Sequence, residues 1–287
     1  TGSAAQALLK QGCDLVWLTR HGRLVGRSFS RAGGTGTRRV AQVHTLAGQE
    51  GGRWAQAVVD AKLAAQRALV VRLRQNRPRP AMTAAVVALR RLRERCAAVV
   101  EPPVLLGIEG QGAAVYYPAL AAAVGPEAMG FDRRSRRPPL DPFNACLSFG
   151  YTLLLTQVEA SCERVGLDRF VGGLHSPGRG KPALALDAME PLRPWVDRLV
   201  LTLVNRRQLQ PGEFVPVEEG VGVHLNQAGR AVFLRAFYKA WRGRLKHPED
   251  GRQLTLDDWL DDRLYALARW CAAEGEGLVP SFGIGAL

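Results

Sequence analysis

The chain has 287 residues, of which 47% are hydrophobic and 23% are charged, a composition typical of a globular protein with an adequate core. Its 39 lysines and arginines outnumber its 26 acidic residues, so the net charge is +13. This excess favours nucleic acid or another polyanion as a partner. Only five of the basic residues are lysines, so GC-rich coding is an alternative explanation of the charge.

The cysteines exclude two classes of site. Their number is odd, they are scattered, and no C-x-x-C occurs, which argues against a disulfide framework and against a thiolate zinc site. They are predicted to be buried apolar residues in a reducing compartment. No signal peptide or bilayer-spanning apolar run is found, and the expected location is a prokaryotic cytoplasm.

The first elements in chain order are predicted to be strands. Alternating apolar residues predict strands at 14–19 and 23–29, joined by a turn at His21-Gly22. A two-stranded hairpin is marginal by itself, so these strands are expected to need others from elsewhere. The Gly-rich residues 30–37 predict a linker.

From residue 38 onward the apolar spacing is helical. The tail GEGLVPSFGIGAL is predicted to be unstructured or loosely docked. The predicted helices are 53–76, 81–100, 104–124, 141–165, 195–207, 226–245 and 256–274.

Two isolated polar residues are candidates for chemistry. Glu109 lies in the mostly apolar segment LLGIEGQGAAVYY, where a carboxylate is costly unless it is paired or coordinated. The alternative is an acid that faces solvent or begins a helix. His175 lies on the glycine-flexed segment GGLHSPG, where a neutral imidazole can bind a metal or accept a proton. Its alternative is an ordinary loop histidine.

Asp187 and Glu190 lie three positions apart, so on a helical turn they share a face. The same spacing also fits a capping box with Asp187 as N-cap, which alone would explain it. Together with Glu109 and His175, these residues make a divalent-metal site plausible. Nearby arginines suggest a phosphate-bearing substrate, and a solvated basic loop is the alternative. The candidate phosphate contacts are Arg133, Arg134, Arg136, Arg137, Arg179 and Lys181.

The motifs GIEG…YY, RRPPLDPFNACLSFGY, GGLH and LDAMEPLRPWVD follow one another in this order. In this arrangement the chain resembles the CRISPR-associated integrase family, metal-dependent nucleases that insert new spacers into CRISPR arrays. RRVAQ, VVDAKLAAQ and GVGVHLNQAGRAVFLRAF extend the resemblance over nearly the whole chain.

The resemblance implies an α+β fold that is mostly α. A partial N-terminal β-domain (1–32) would precede a large helical catalytic domain (38–287). The segment TGSAAQALLKQG resembles the middle of that β-domain, so its opening strands are expected to be missing. The chain could also be one module of a longer fusion.

The resemblance further implies that Glu109, His175 and Glu190 bind Mg²⁺ or Mn²⁺, with Asp187 a nearby catalytic acid. Mixed carboxylate and imidazole donors suit these ions. The implied activity is that of a DNA endonuclease and integrase acting by transesterification. The residues implied to lie near the site are Tyr116, Tyr117, Asn144 and Tyr151.

The implied partners are double-stranded and partly single-stranded DNA, namely the prespacer and the CRISPR repeat. The family pattern also implies a homodimer around a small ferredoxin-like subunit of the adaptation complex. Two other functions stay open from the sequence. One is a transposon-encoded integrase relative, and the other is a DNA-bridging subunit without catalysis.

Overall fold

A computed structural model describes residues 1–13, 15–18, 24–28, 36–125, 127–217, 220–246 and 251–283. The described part is dominated by helices, which confirms the mostly helical α+β class. None of its helices is both long enough and apolar enough to cross a membrane. The helices are α1 (Gly2–Lys10), α2 (Gly36–Leu46), α3 (Gly51–Asn76), α4 (Pro80–Cys96), α5 (Pro102–Ala121), α6 (Pro142–Val165), α7 (Ala183–Met189), α8 (Arg193–Asn205), α9 (Gln227–Trp241) and α10 (Leu256–Ala272).

The strands form three separate antiparallel pairs, each of two strands. The first pair lies where the sequence predicts a hairpin and contains one register irregularity. The predicted His21-Gly22 turn and most of the linker lie outside the described residues. The strands are β1 (Leu15–Leu18), β2 (Leu24–Ser28), β3 (Phe214–Pro216), β4 (Val223–Leu225), β5 (Leu245–Lys246) and β6 (Gln253–Leu254).

Several element boundaries differ from the prediction for identifiable reasons. Helix α1 was not predicted, and none of its residues is buried. Helix α5 begins at Pro102 rather than at 104, because a proline in the first helical turn sacrifices no hydrogen bond. Helix α9 ends at Trp241 rather than at 245, where the chain enters β5.

The described part of the C-terminal tail, residues 275–283, contains no helix or strand, yet it packs against the core through Phe282, so the prediction of a loosely docked tail is wrong for these residues. Phe282 is 1% exposed and meets the ring of Trp54 edge-on, with centroids 5.0 Å apart. Arg53 donates to the carbonyl oxygens of Gly275 (2.9 Å) and Gly277 (2.6 Å). The burial of one aromatic ring and two hydrogen bonds to the backbone thus order this segment, although its composition is rich in glycine.

Helix α3 is the central element of the site. It packs against α4 and α5 on one side and against the 3₁₀ turn Glu190–Leu192 on another. Its buried face follows helical spacing through Val58, Lys62, Gln66 and Leu69. Two polar residues therefore lie within an apolar stripe, directly opposite α5 and the 3₁₀ turn.

Candidate metal centre and nucleic-acid cleft

A buried lysine joins the two glutamates implied as metal ligands. The Nζ atom of Lys62 on α3 donates to Oε1 of Glu109 on α5 and, at 2.5 Å, to Oε2 of Glu190. The Lys62 side chain is only 5% exposed, that of Glu190 6% and that of Glu109 22%. The fold therefore brings the two carboxylates to one point between α3, α5 and the 3₁₀ turn.

A second cation completes the charge balance at this point. Arg193, at the start of α8, donates through Nε to Oε2 of Glu190 at 2.9 Å. Burial alone would raise the pKa of Glu190, but Arg193 and Lys62 hold it at about 2. Burial would lower the pKa of the Lys62 ammonium, but Glu190 and Glu109 hold it above its ordinary value. Glu190, Lys62 and Arg193 are therefore charged at neutral pH.

Asp187 positions His175 and has little capacity left for a metal. Its Oδ2 accepts from Trp54 Nε1 (3.1 Å) and from the backbone N–H groups of Gly173 (2.8 Å) and Leu174 (3.0 Å). Its Oδ1 accepts from the backbone of His175 (2.9 Å) and contacts Nδ1 of that ring (2.8 Å). With Nδ1–H assigned as the donor, the lone pair of Nε2 is left available.

The two glycines before His175 allow this close packing. A Cβ on Gly172 would lie 2.7 Å from Oδ2 of Asp187, and one on Gly173 would lie 2.5 Å from the carbonyl oxygen of Gly51. Both distances are below any normal contact. The segment GGLH can therefore press against α3 and α7 only with glycine at these two positions.

The capping-box explanation of D-x-x-E is wrong. Asp187 lies inside α7, whose N-cap is Pro182, and Glu190 begins the following 3₁₀ turn. Both acids contact α3, Asp187 through Trp54 and Glu190 through Lys62, but their other partners differ. Asp187 faces the 173–175 backbone, whereas Glu190 faces Lys62 and Arg193.

The donor set fits a hard divalent cation, although a lysine now stands between the carboxylates. Within the described ranges, no three His, Cys, Asp or Glu side chains are close enough, as they stand, to hold a metal ion. Yet Glu109 Oε2, Glu190 Oε1 and His175 Nε2 make no hydrogen bond to any described residue. Two carboxylates gathered around a buried cation, together with the Nε2 lone pair of His175, are donors suited to Mg²⁺ or Mn²⁺.

The tyrosines implied to lie near the site form a buried cluster around Asp197. Tyr116 and Tyr151 donate their hydroxyls to its two carboxyl oxygens at 2.6 and 2.5 Å, and Tyr117 contacts Tyr151. Burial raises the pKa of Asp197 to about 6, against the opposing effect of the two hydrogen bonds. The ring of Tyr151 in turn lies 4.7 Å from the guanidinium of Arg193, which links this cluster to Glu190.

Asn144 orders the arginine loop. Its Oδ1 accepts from Arg134 Nη1 (2.8 Å) and from the backbone of Ser135 (3.0 Å), while its Nδ2 donates to the carbonyl of Arg133 (2.8 Å). Arg134 also donates to Ser148 Oγ and lies over Tyr151. The loop is therefore not a uniformly solvated basic segment, because Arg134 anchors it from inside.

The remaining candidate cations divide into two groups. Arg136 and Arg137 are exposed and line an open cleft of about 1000 Å³. The lining of this cleft also includes Arg193, which donates a hydrogen bond to Glu190. No aspartate or glutamate appears among the residues described as lining it. Arg133 is exposed outside the cleft lining, and Arg179 and Lys181 lie in a tight turn after His175.

Sequence reasoning missed four residues of this region: Lys62, Arg193, Asp197 and Arg230. One of them left a detectable trace. Lys62 falls on the apolar face of a strongly periodic helix, in a chain with only five lysines, and a lysine there requires a buried anion. The other three depend on contacts between elements and have no comparable pattern.

Comparison with known proteins identifies the family. Residues 1–239 match the family model described as CRISPR associated protein Cas1. The chain belongs to the Cas1 family. It is 34% identical over 273 residues to CRISPR-associated endonuclease Cas1 2 from Rhodospirillum rubrum, covering 91% of this chain and 78% of that relative. It is 39% identical to a Cas1 endonuclease from Thermus thermophilus, covering 84% of this chain and 72% of that relative.

Solved structures share the Cas1 fold over almost the whole chain. A Cas1 protein from Thermotoga maritima superposes with a TM-score of 0.80 at 26% identity, over 97% of this chain and 84% of that one. A casposase bound to its integration product gives 0.86 at 24% identity, over 100% and 79%. A Cas6-RT-Cas1–Cas2 complex gives 0.79 at 24% identity, over 96% of this chain and 30% of that one. The last two show likeness of fold alone.

Proposed function

We propose that this Cas1-family chain is a metal-dependent DNA endonuclease and integrase that joins spacer DNA to a CRISPR repeat. The observation that carries the proposal is the meeting of Glu109 and Glu190 on one buried cation beside a cleft lined by arginines. In the joining step the 3′-hydroxyl oxygen of the fragment forms a bond to phosphorus, and a 3′-oxygen of the repeat strand leaves. The number of phosphodiester bonds is unchanged.

Glu109, His175 and Glu190 would hold the divalent ion, Mg²⁺ or Mn²⁺, which when bound polarises the phosphodiester and activates a hydroxyl or water. The chain's own residues arrange this centre. Asp187 fixes the tautomer and orientation of His175, as carboxylates commonly do for histidine ligands. Arg193 donates a hydrogen bond to Oε2 of Glu190 and so fixes the position of its carboxyl group.

The cleft supplies the contacts to DNA. Arg136, Arg137 and Arg230 lie in its lining with Arg193, where they can neutralise backbone phosphates without reading sequence. The cleft shares Arg193 with the carboxylate centre, so a strand held there lies beside the reacting group. Arg133, Arg179 and Lys181 remain candidate phosphate contacts on the surface beyond it.

We also propose a homodimer that assembles with a small ferredoxin-like subunit on partly single-stranded prespacer DNA. A Cas6-RT-Cas1–Cas2 complex of similar fold supports assembly with a partner. Identity of 34–39% to CRISPR-associated endonucleases favours the CRISPR function over a transposon-encoded relative. The presence of Glu109, His175 and Glu190 together in the chain argues against a scaffold without catalysis.

A strand-joining assay tests the proposal. Glu109→Gln keeps the shape of a partly exposed side chain but removes its charge, and it should abolish Mn²⁺-dependent joining. Glu94→Gln is the matched control, because Glu94 is 65% exposed on α4 and should be silent. Joining by the Glu109→Gln variant at the wild-type rate would exclude this centre as the place of catalysis.

A further inference from the structure

The carboxylate centre is electrically complete without a metal. Glu109 and Glu190 contribute two negative charges, and Lys62 and Arg193 contribute two positive charges in direct contact with them. A buried lysine without such partners would be strongly disfavoured, and so would two adjacent carboxylates without a cation. The two positive charges therefore offset the cost of burying the two negative charges, and the reverse also holds.

The contacts of Lys62 are confined to one oxygen of each carboxylate. Lys62 uses Oε1 of Glu109 and Oε2 of Glu190, and Arg193 uses the same Oε2. A dication bound through the two remaining oxygens would lie close to the ammonium. The five charged groups together would then carry a net charge of +2, in a place where water screens poorly.

We propose that Lys62 is a built-in counter-cation of the metal centre, which keeps Glu109 and Glu190 side by side before a metal arrives and weakens metal binding until a DNA phosphate joins. This inference rests on the proposed function of the site. It makes Lys62 a positioning residue that couples metal affinity to substrate. A phosphodiester placed against the surplus positive charge lowers it from +2 to +1, so metal and DNA should bind cooperatively.

A simpler role for Lys62 predicts the opposite sign. If the lysine only orients the carboxylates, its removal leaves the ligands disordered and metal affinity falls. If it acts as a counter-cation, its removal takes away a repelling charge and metal affinity rises. The direction of change in Mn²⁺ affinity therefore decides between the two roles.

The first experiment measures Mn²⁺ binding to the full chain by titration, with free Mn²⁺ followed by paramagnetic resonance. Lys62→Met replaces the lysine by an unbranched side chain that is one atom shorter and uncharged, and it should bind Mn²⁺ about 10-fold tighter or more. Gln66→Met is the matched control, because Gln66 is buried one turn further along the same face of α3. It should bind as the wild type does. Equal or weaker binding by Lys62→Met would overturn the inference.

The second measurement guards against a variant that folds poorly. Without metal, Lys62→Met should melt at a lower temperature than wild type, and Mn²⁺ should raise its melting temperature by more. Lys62→Met combined with Glu109→Gln restores the charge balance and should recover metal-free stability while losing the response to Mn²⁺. If the double variant remains as unstable as Lys62→Met, Lys62 acts through packing and the counter-cation role is wrong.

The third measurement separates this inference from the proposed function. A duplex with a 3′-dideoxy end, which cannot react, should tighten Mn²⁺ binding to the wild type by more than it does for Lys62→Met. If the wild type binds no Mn²⁺ with or without DNA, the proposed metal centre itself is wrong. If the wild type binds Mn²⁺ but DNA tightens both proteins equally, only the coupling through Lys62 is wrong.

Discussion

The carboxylate centre and the arginine cleft lie side by side, yet they manage charge in opposite ways. Glu109 and Glu190 are neutralised from within the protein, by Lys62 and Arg193, at side-chain exposures of 22% and 6%. In the cleft, by contrast, Arg136 and Arg137 are exposed, and none of the residues described as lining it is acidic. The positive charge of the cleft can therefore be neutralised by an external anion, whereas the charges of the carboxylate centre already neutralise one another.

Arg193 belongs to both regions and is the residue that connects them. Its guanidinium holds Glu190, lies over the ring of Tyr151 and lines the cleft. Substitutions in the centre should therefore affect chemistry more than DNA binding, and substitutions in the cleft should do the reverse. Four experiments test this division.

The largest expected effect is on the centre. Glu190→Gln should lower the rate of strand joining by at least ~100-fold, because even the loss of groups behind the metal ligands reaches that order. DNA binding should stay near the wild-type value, since the cleft is untouched. We choose glutamine over alanine because its amide oxygen can still accept hydrogen bonds from Lys62 and Arg193, whereas alanine would leave both buried donors without this partner. A variant that joins DNA normally would contradict the division.

A somewhat smaller effect is expected at Asp187. Asp187→Asn cannot accept all five of the hydrogen bonds that its carboxylate now receives, so the backbone before His175 should loosen. We expect Mn²⁺ affinity to fall by about 10- to 100-fold and the free energy of unfolding to fall by about 1–3 kcal/mol. Trp54→Phe, which removes only one of the donors, should show a fraction of both effects. Unchanged Mn²⁺ affinity in Asp187→Asn would show that His175 needs no such support.

The cleft should respond in binding rather than in rate. Arg136→Gln combined with Arg137→Gln should weaken binding to unrelated DNA sequences about equally, by roughly 10-fold, and reduce the salt slope by about 2. Joining at saturating DNA should be preserved. Arg90→Gln with Arg91→Gln removes two exposed charges from α4, away from the cleft lining, and serves as control. Selective loss of one DNA sequence would mean that the loop reads bases.

The smallest effect on activity is expected at Asp197. This residue is connected to both regions through Tyr151, whose ring lies beside Arg193. Its folded-state pKa is raised to about 6 from an ordinary 3.8, so the folded protein holds this proton more tightly than the unfolded chain. This group therefore makes the free energy of unfolding fall as pH rises from about 4 to 6, by up to about 3 kcal/mol, and adds no further change above pH 6.

Urea unfolding between pH 4 and 8 checks this expectation. Asp197→Asn lacks the titrating group, so its stability relative to the wild type should increase with pH up to about 6 and then level off. Its strand-joining rate at neutral pH should be close to that of the wild type. A difference in stability that stays constant across this range would show that Asp197 does not titrate there.

The family and the mostly helical fold class were predictable from ordered motifs, and the family match and the structure confirm them. Individual site residues were less predictable by residue patterns alone. Glu109, His175 and the pair Asp187 and Glu190 each had an ordinary alternative, and only the resemblance singled them out as a set. Their roles as metal ligands stay predictions. The tail shows the same limit, because composition does not reveal that Phe282 finds a slot beside Trp54.

Helical periodicity and motif order by themselves determined where α3 and α6 run and which acids belong to the family's site. Tertiary structure alone decided that Lys62 lies between Glu109 and Glu190, that Arg134 turns inward while Arg136 and Arg137 line the cleft, and that Asp187 holds a loop. The reason is physical. Local patterns report which face of an element avoids water, whereas the state of a buried charge depends on partners that packing brings from distant parts of the chain.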